Sequence, residues 1–197
     1  MPIVINGTGT VSGLSVGGLP DGSVDRDTLA AAAKGSILQV VQSVKTDNQD
    51  GTAGGGTFAD ITGTDQAGSG SVWCCKITPA SASNKVLVQV TIQAGSANWC
   101  MYYKLLRDST ALGLGNDLGG SRSQGTFSGA YPNHADGTST GSYTYLDSPS
   151  STSELTYKIQ ASNRSDQAWK INRANGTTNA NYIWSVSSTI TLMEIAG

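Results

Sequence analysis

The stretch that decides the fold is KVLVQVTIQAG, residues 85–95. Every second side chain in its first eight residues is a branched apolar one. These side chains are Val86, Val88, Val90 and Ile92. An alternation with a period of two is typical of a β-strand that buries one face and leaves the other partly exposed. The segment LTYKIQA, residues 155–161, repeats the pattern.

Further apolar, β-branched and aromatic runs lie on both sides of these two segments. They are SILQVVQSVKT (36–46), NWCMYYKLLRD (98–108), GSYTYLD (141–147), AWKINR (168–173) and IWSVSSTITLMEI (183–195). Turn-forming pairs separate the runs, at Asp108-Ser109, Asp136-Gly137 and Asn175-Gly176. About eight strands at this spacing predict an all-β domain over residues 36–197, a β-sandwich of jelly-roll-like type.

Residues 1–35 differ in composition and are predicted to form an arm. Within them, residues 24–34 (VDRDTLAAAAK) have the acidic start, the alanine run and the following glycine of a short helix. The arm has few apolar side chains with which to bury itself; they are Leu14, Val16, Leu19 and Leu29. We expect these residues to contact their counterparts in neighbouring copies. The alternatives are a helix docked on its own domain and an arm that stays disordered.

Composition argues against two classes of partner. Charged residues make up 13% of the chain and the net charge is −2, so the protein lacks the basic field that attracts nucleic acid. No apolar run approaches the roughly 20 residues needed to span a membrane, and no basic and apolar leader follows Met1. We therefore expect neither nucleic-acid binding nor membrane insertion.

The residues that could ligate metals are too sparse for a site. The three cysteines, Cys74, Cys75 and Cys100, are an odd set, and the only histidine is His134. This predicts neither a disulfide framework nor a zinc site, and the cysteines are expected to be small buried side chains. The segment 47–51 (DNQDG) resembles a calcium loop but lacks the downstream glutamate, so a polar turn is expected. No metal and no cofactor are predicted.

Catalytic constellations are equally weak. Asp21, Asp25 and Asp27 are explained better by a helix start than by paired acid catalysis. His134 has Asp136 and two serines, Ser139 and Ser142, nearby in sequence, but nothing orients them as a triad. The prediction is that the protein is not an enzyme.

Residues 115–142 form a long polar loop that suits binding. The loop combines amide, guanidinium and ring side chains, which together can hydrogen-bond to sugars and stack on them. The candidate receptor-binding residues are Arg122, Phe127, Tyr131, Asn133 and His134. Trp73 and Trp99, near predicted strands, are expected in the core, with a place on the binding surface as the alternative. Arg107 and Arg173 are expected to form structural ion pairs or contacts between copies.

Several segments, in this order, resemble tail-fibre and related virion proteins of tailed bacteriophages, especially those in marine metagenomes. The segments are NGTGTVSGLSVGGLPDGSVDRDTLA (6–30), KGSILQVVQSVKTD (34–47), ITPASASNKVLVQVTI (77–92), LLRDSTALGLG (105–115), YLDSPSSTSELTYKIQ (145–160), INRANG (171–176) and STITLMEIAG (188–197). The resemblance spans nearly the whole chain and is weakest at SVWCCKITPA (71–80) and in residues 115–142.

This resemblance implies a protein of the virion, made in the host cytoplasm. It implies a homotrimer whose arm, residues 1–35, joins other virion proteins. The β domain would then act as a fibre or fibre tip that contacts a glycan or protein of the host surface. Two alternatives stay open: a capsid or tail decoration or adaptor that binds only virion proteins, and a surface-glycan hydrolase. The hydrolase is disfavoured because glutamate occurs only at Glu154 and Glu194 and no long repetitive β-helix pattern is present.

Overall fold

The computed structural model describes residues 4–5, 11–12, 37–63, 71–96, 99–131, 134–164, 166–176, 179–181 and 183–197. The chain divides into two compact units, residues 1–36 and 37–197. In the first, the two short strands Val4–Ile5 and Val11–Ser12 pair antiparallel. The predicted helix at 24–34 and the arm residues Leu14, Val16, Leu19 and Leu29 lie outside the described residues.

The second unit is built of β-strands. In chain order, after β1 (Val4–Ile5) and β2 (Val11–Ser12) of the first unit, they are β3 (Ile37–Lys45), β4 (Gln49–Gly51), β5 (Ala59–Asp60), β6 (Thr62–Gly63), β7 (Ser71–Val72), β8 (Cys74–Ile77), β9 (Lys85–Ser96), β10 (Tyr102–Arg107), β11 (Thr110–Leu112), β12 (Phe127–Ser128), β13 (Ser139–Asp147), β14 (Leu155–Ser162), β15 (Trp169–Ile171) and β16 (Ser188–Ile195). No helix occurs in the described ranges, and accordingly none that could cross a membrane. The all-β prediction is confirmed.

The strands form two six-stranded antiparallel sheets, with β6 and β7 as a separate pair. The first sheet is organised by β9, which pairs along one edge with β13 and along the other with β16 and then β15. Strand β3 lies outside β16, and β4 lies outside β15. In the second sheet, β10 and β14 are the central pair, flanked by β11 and β12 on one side and by β8 and β5 on the other.

One apolar cluster joins the two sheets. Strand β9 contributes Val86, Val88, Val90 and Ile92, as its alternation predicts, and β14 contributes Leu155, Tyr157, Ile159 and Ala161. Because both sheets bury one face in the same cluster, the arrangement is sandwich-like. Trp73 is fully buried, which confirms that part of the sequence prediction. Trp99 is 37% exposed, so its assignment to the core was wrong.

A buried asparagine fills the point where β9 changes partner from β16 to β15. Asn172 is fully buried and its φ of 66° is one that asparagine tolerates better than most residues. Its Nδ2 donates to the carbonyls of Lys45 and Asp47, at 2.8 and 2.9 Å. Its Oδ1 accepts from the hydroxyl of Ser188 at 2.6 Å, and its backbone N–H donates to the carbonyl of Gln93. These bonds satisfy backbone groups that the interrupted ladder leaves unpaired.

Two carboxylates are buried at the margins of the sheets and are held by several donors each. Asp147 accepts two bonds from Arg107 Nη1 and one from the Tyr157 hydroxyl. Glu194 accepts from Gln39 Nε2, Asn84 Nδ2 and the backbone N–H of Ala80, at 2.6, 2.5 and 2.7 Å. The sequence prediction of a structural pair for Arg107 is therefore confirmed, and Arg173 likewise pairs with Asp50.

The hydrogen bonds of Glu194 determine the direction in which the pKa of its carboxyl group is shifted. Burial raises the pKa of this carboxyl, but the bonds from Asn84, Gln39 and Ala80 outweigh burial and hold the pKa below its ordinary value of 4.5. A lowered pKa in the folded state stabilises the protein above pH 4.5, and that contribution is lost as the pH falls through the lowered value.

We therefore expect Glu194→Gln to lower the free energy of unfolding at pH 7 by about 2 kcal/mol. The substitution replaces charge-assisted hydrogen bonds with neutral ones, and it places the NH₂ group of glutamine near the amide donors of Gln39 and Asn84. Urea unfolding followed by circular dichroism measures the loss. The difference between wild type and variant should shrink as the pH falls below 4.5.

The matched control for this prediction is Glu154→Gln, which changes the only other glutamate. Glu154 forms an exposed ion pair with Lys76 at 2.9 Å. Because exposed pairs contribute little, this variant should unfold at nearly the wild-type urea concentration. Equal destabilisation by both substitutions would contradict the role given to Glu194.

Candidate functional site

The predicted receptor-binding residues that the structure describes lie in β12 and in the loops before and after it. Arg122 lies in the loop between β11 and β12, and its side chain is exposed. Tyr131 is 46% exposed, and His134 is exposed in the loop before β13. The backbone N–H of Asp136 donates to His134 Nδ1 at 3.2 Å. Asn133 lies outside the described residues.

Phe127, the fifth candidate, belongs to the packing of the domain. Its ring stacks on Tyr103 with centroids 4.8 Å apart and on Tyr143 with centroids 5.5 Å apart. It packs against the apolar cluster that joins the two sheets. A ring held between two others in this way contributes to stability and has limited freedom to meet a ligand.

Arg122 does contribute to a concave site, an open cleft of about 440 Å³ at one end of the second sheet. Four segments of the chain build it: the loop between β4 and β5, the start of β10, the loop between β11 and β12, and the end of β14. The lining residues are Gly55, Gly56, Phe58, Tyr102, Ser121, Arg122, Ser123, Gly125, Ser162, Asn163 and Arg164. The register of the sheet places two of these segments side by side, since Tyr102 pairs with Ser162.

Two glycines let the loop between β4 and β5 approach the other walls of the cleft. Gly55 and Gly56 have φ values of 57° and 95°, which side chains disfavour. A Cβ on Gly56 would lie 2.4 Å from Ser123 Oγ, so a side chain there would displace the opposite wall. The turn is fixed to the end of β14, because Gly55 N–H donates to the carbonyl of Asn163 at 3.2 Å.

Two side chains that line the cleft, Arg164 and Phe58, each take part in a contact between a cation and an aromatic ring. The guanidinium of Arg164 lies 3.9 Å from the ring centroid of Trp99, and the ammonium of Lys104 lies 4.2 Å from that of Phe58. Arg122 Nη1 donates to two backbone carbonyls, those of Leu118 and Gly119, at 3.4 and 3.3 Å.

Within the described residues, none of these three cations has an ion-pair partner within 4.0 Å, and neither does Lys85, which lies outside the cleft; the other described lysines and arginines are paired, namely Lys45, Lys76, Arg107, Lys158, Lys170 and Arg173. One carboxylate, that of Asp166, lies beside Gly55 at the rim. The cleft is therefore lined by two guanidinium groups, those of Arg122 and Arg164, in a chain that is acidic as a whole.

Sequence reasoning found one residue of this cleft and missed the rest. Phe58, Tyr102 and Arg164 lie in three separate segments, and no spacing rule links them. One signal was present: three consecutive glycines, Gly54 to Gly56, exceed what an ordinary turn needs and indicate close approach of backbone to another surface.

Other groups considered for chemistry are engaged in structure. Asp47 accepts from Lys45 at 2.8 Å, and Asp50 pairs with Lys170 and Arg173, which fits a polar turn. Ser139 is buried and donates to the carbonyl of Ala94. The three cysteines are free; Cys74 and Cys75 are buried, as expected for small core side chains, whereas Cys100 is only partly buried. Among the described residues, no cluster of three or more His, Cys, Asp or Glu side chains could hold a metal.

The arrangement at the cleft is suited to binding. Guanidinium groups, ring faces, serine hydroxyls and exposed peptide groups are the means by which proteins hold polar, partly planar ligands such as sugars. Neither the models of known protein families nor the curated proteins contain a match to this chain.

The two groups of predicted site residues should behave differently on substitution. We expect Phe127→Ala to lower the free energy of unfolding by about 3 kcal/mol, because it empties the space between two stacked rings. Tyr131→Ala and His134→Ala should each change it by under about 0.5 kcal/mol, because exposed loop side chains have few contacts to lose. Thermal and urea unfolding of the three variants measure this. A neutral Phe127→Ala would mean that the ring is free for a ligand.

Proposed function

We propose that this chain is a non-enzymatic structural protein of a tailed-phage virion, a tail fibre or fibre tip that attaches to the host surface through the cleft that contains Arg122 and Arg164. The ordered resemblance of segments from residue 6 to residue 197 supports the virion assignment. The single observation that carries the binding role is the cleft, which is lined by Arg122 and Arg164; neither has an acidic partner among the described residues, and Arg164 lies against the ring of Trp99. The proposed ligand is a glycan of the host surface.

The order of the strands supports a jelly roll as the fold of the distal domain. With β3, β8, β9, β10, β11, β13, β14 and β16 taken as the eight strands, one sheet has the order first, eighth, third, sixth. The other has the order second, seventh, fourth, fifth. Two Greek keys wound into a double sheet give this order. Such a domain presents its loops at its ends, where the cleft lies.

The proposed assembly is a homotrimer whose residues 1–35 join other virion proteins. An arm with little apolar bulk gains most from contacts between copies, since Leu14, Val16, Leu19 and Leu29 have few partners within the arm itself. In the alternative function, a capsid or tail decoration protein, the same arm would attach and the cleft would bind another virion protein.

The binding role is tested by Arg122→Ala/Arg164→Ala. We expect this variant to lose at least about tenfold in affinity for host surface polysaccharide, because each guanidinium supplies charge-assisted hydrogen bonds that water replaces poorly. Binding of purified full-length protein to immobilised polysaccharides from candidate host envelopes measures the loss. Thermal stability should change little, because both side chains are exposed.

The control variant is Lys76→Ala/Lys85→Ala, which removes the same charge from exposed positions outside the cleft. It should bind as the wild type does. Equal loss in both variants would mean that binding follows net charge, and no loss in the cleft variant would remove the cleft from the proposed function. Labelling the protein on particles and viewing them by electron microscopy separates a fibre tip from a capsid decoration.

A further inference from the structure

The arginines that the structure describes divide according to whether they line the cleft. Arg107 and Arg173 each form an ion pair with an aspartate, at 2.6 and 2.9 Å, and neither lines the cleft. Arg122 and Arg164 both line it, and neither has an acidic partner within 4.0 Å among the described residues. Because a guanidinium stays charged at any pH at which proteins fold, the cleft holds two permanent positive charges without a described counter-charge in contact.

The side chains of the cleft offer more hydrogen-bond donors than acceptors. Each guanidinium carries several N–H donors and no acceptor. The described lining contains no aspartate or glutamate, and its one amide, Asn163, is engaged, since Nδ2 donates to the carbonyl of Gln167 and Oδ1 accepts from the backbone N–H of Gln167. The other side-chain acceptors of the lining are the hydroxyls of Tyr102, Ser121, Ser123 and Ser162. A ligand that complements these side chains must therefore be rich in acceptors.

Both guanidinium groups are positioned without the help of a carboxylate. The loop that carries Arg122 is closed at its base, where the N–H of Gly115 donates to the carbonyl of Gly125 at 3.1 Å and Gln124 Nε2 donates to the carbonyl of Gly115 at 2.8 Å. Arg164 lies over the ring of Trp99, a contact that positions a guanidinium and leaves its charge in place. Groups held in this way lose less conformational entropy when they bind a ligand.

We propose that the glycan bound in the cleft is acidic, with an oxyanion group on the sugar that contacts Arg122 and Arg164. This inference rests on the proposed function, because it specifies the ligand of the same cleft. An oxyanion carries only acceptors, so it supplies what the guanidinium groups lack. A carboxylate, a sulfate or a phosphate can each accept two parallel hydrogen bonds from one guanidinium, which is the strongest way in which arginine binds. The ring faces of Phe58 and Tyr102 remain available to the sugar itself.

The attraction for an acidic ligand is local to the cleft. The net charge of the chain is −2, so the protein as a whole does not attract a polyanion. One carboxylate lies at the rim, where Asp166 Oδ2 is 3.7 Å from the position of a Cβ on Gly55. This single negative charge opposes the two guanidinium charges of the lining and does not cancel them.

The experiment compares two acidic polymers with their own neutral forms. Alginate, which carries carboxylates, is paired with alginate whose carboxyl groups have been reduced to alcohols, and dextran sulfate, which carries tetrahedral oxyanions, is paired with dextran. Biolayer interferometry measures the binding of the full-length protein to each immobilised polymer. At least one acidic polymer should bind at least about tenfold more tightly than its neutral form, and the pair that differs identifies the kind of oxyanion. Equal binding within both pairs would overturn the inference.

Arg122→Gln/Arg164→Gln tests whether the preference for an acidic polymer originates in the cleft. This variant should bind the acidic and neutral forms alike, because glutamine hydrogen-bonds but carries no charge. The matched control is Lys76→Gln/Lys85→Gln, which removes two charges from exposed positions outside the cleft and should keep the preference. A preference that survives in the arginine variant, or that both variants lose equally, would overturn the inference.

A second measurement needs no variant. The affinity of the wild type for the acidic polymer should fall at least severalfold between about 50 and about 300 mM NaCl, while its affinity for the neutral form should stay constant, because salt screens exposed charges. Affinity for the acidic polymer that does not depend on salt would contradict recognition by charge. Circular dichroism shows whether each variant has folded.

The inference and the proposed function fail in different ways. If a neutral host polysaccharide binds the wild type tightly and Arg122→Ala/Arg164→Ala abolishes that binding, the cleft keeps its role in attachment and only the preference for acidic glycans is overturned. If neither host polysaccharides nor the acidic polymers bind the wild type, the binding role of the cleft is itself overturned.

Discussion

The whole domain depends on the pairing of β9 along both of its edges. This strand supplies four branched apolar side chains to the core, and it organises the first sheet through β13 on one side and through β16 and β15 on the other. A shift of one residue in any of these pairings would turn the apolar side chains outward. The register that buries the core therefore also fixes which residues appear on the outward face.

The change of partner along β9 has a cost that buried polar groups offset. Where β16 ends and β15 begins, the ladder is interrupted, and Asn172 bonds to three strands or their connections to satisfy it. At the opposite end of the sheet, Glu194 gathers donors from β3 and from the loop before β9. The polar atoms of both side chains are hydrogen-bonded, and another arrangement of the strands would leave them buried without partners. They therefore favour this one arrangement.

The two sheets differ in what they contribute to the surface of the protein. The second sheet ends in loops that build the cleft, and its outward side carries the ion pairs that keep it in water. The first sheet carries its own ion pair, Lys170–Asp50, between β15 and β4.

The local sequence pattern determined the strands of this protein and the faces that they bury. The alternation in residues 85–95 and 155–161 was sufficient to predict strands and their buried faces, because side-chain direction in a strand depends only on the parity of the position. The pairs of Arg107 and Arg173, the turn at Asp108-Ser109 and the core position of Trp73 followed from residue type. Tertiary structure alone decided which strands are neighbours, and therefore that Trp99 lies exposed beneath Arg164 and that Phe127 lies between two rings. The cleft has the same origin, since it is assembled from four segments distant in sequence, and only the long-range register brings such segments together.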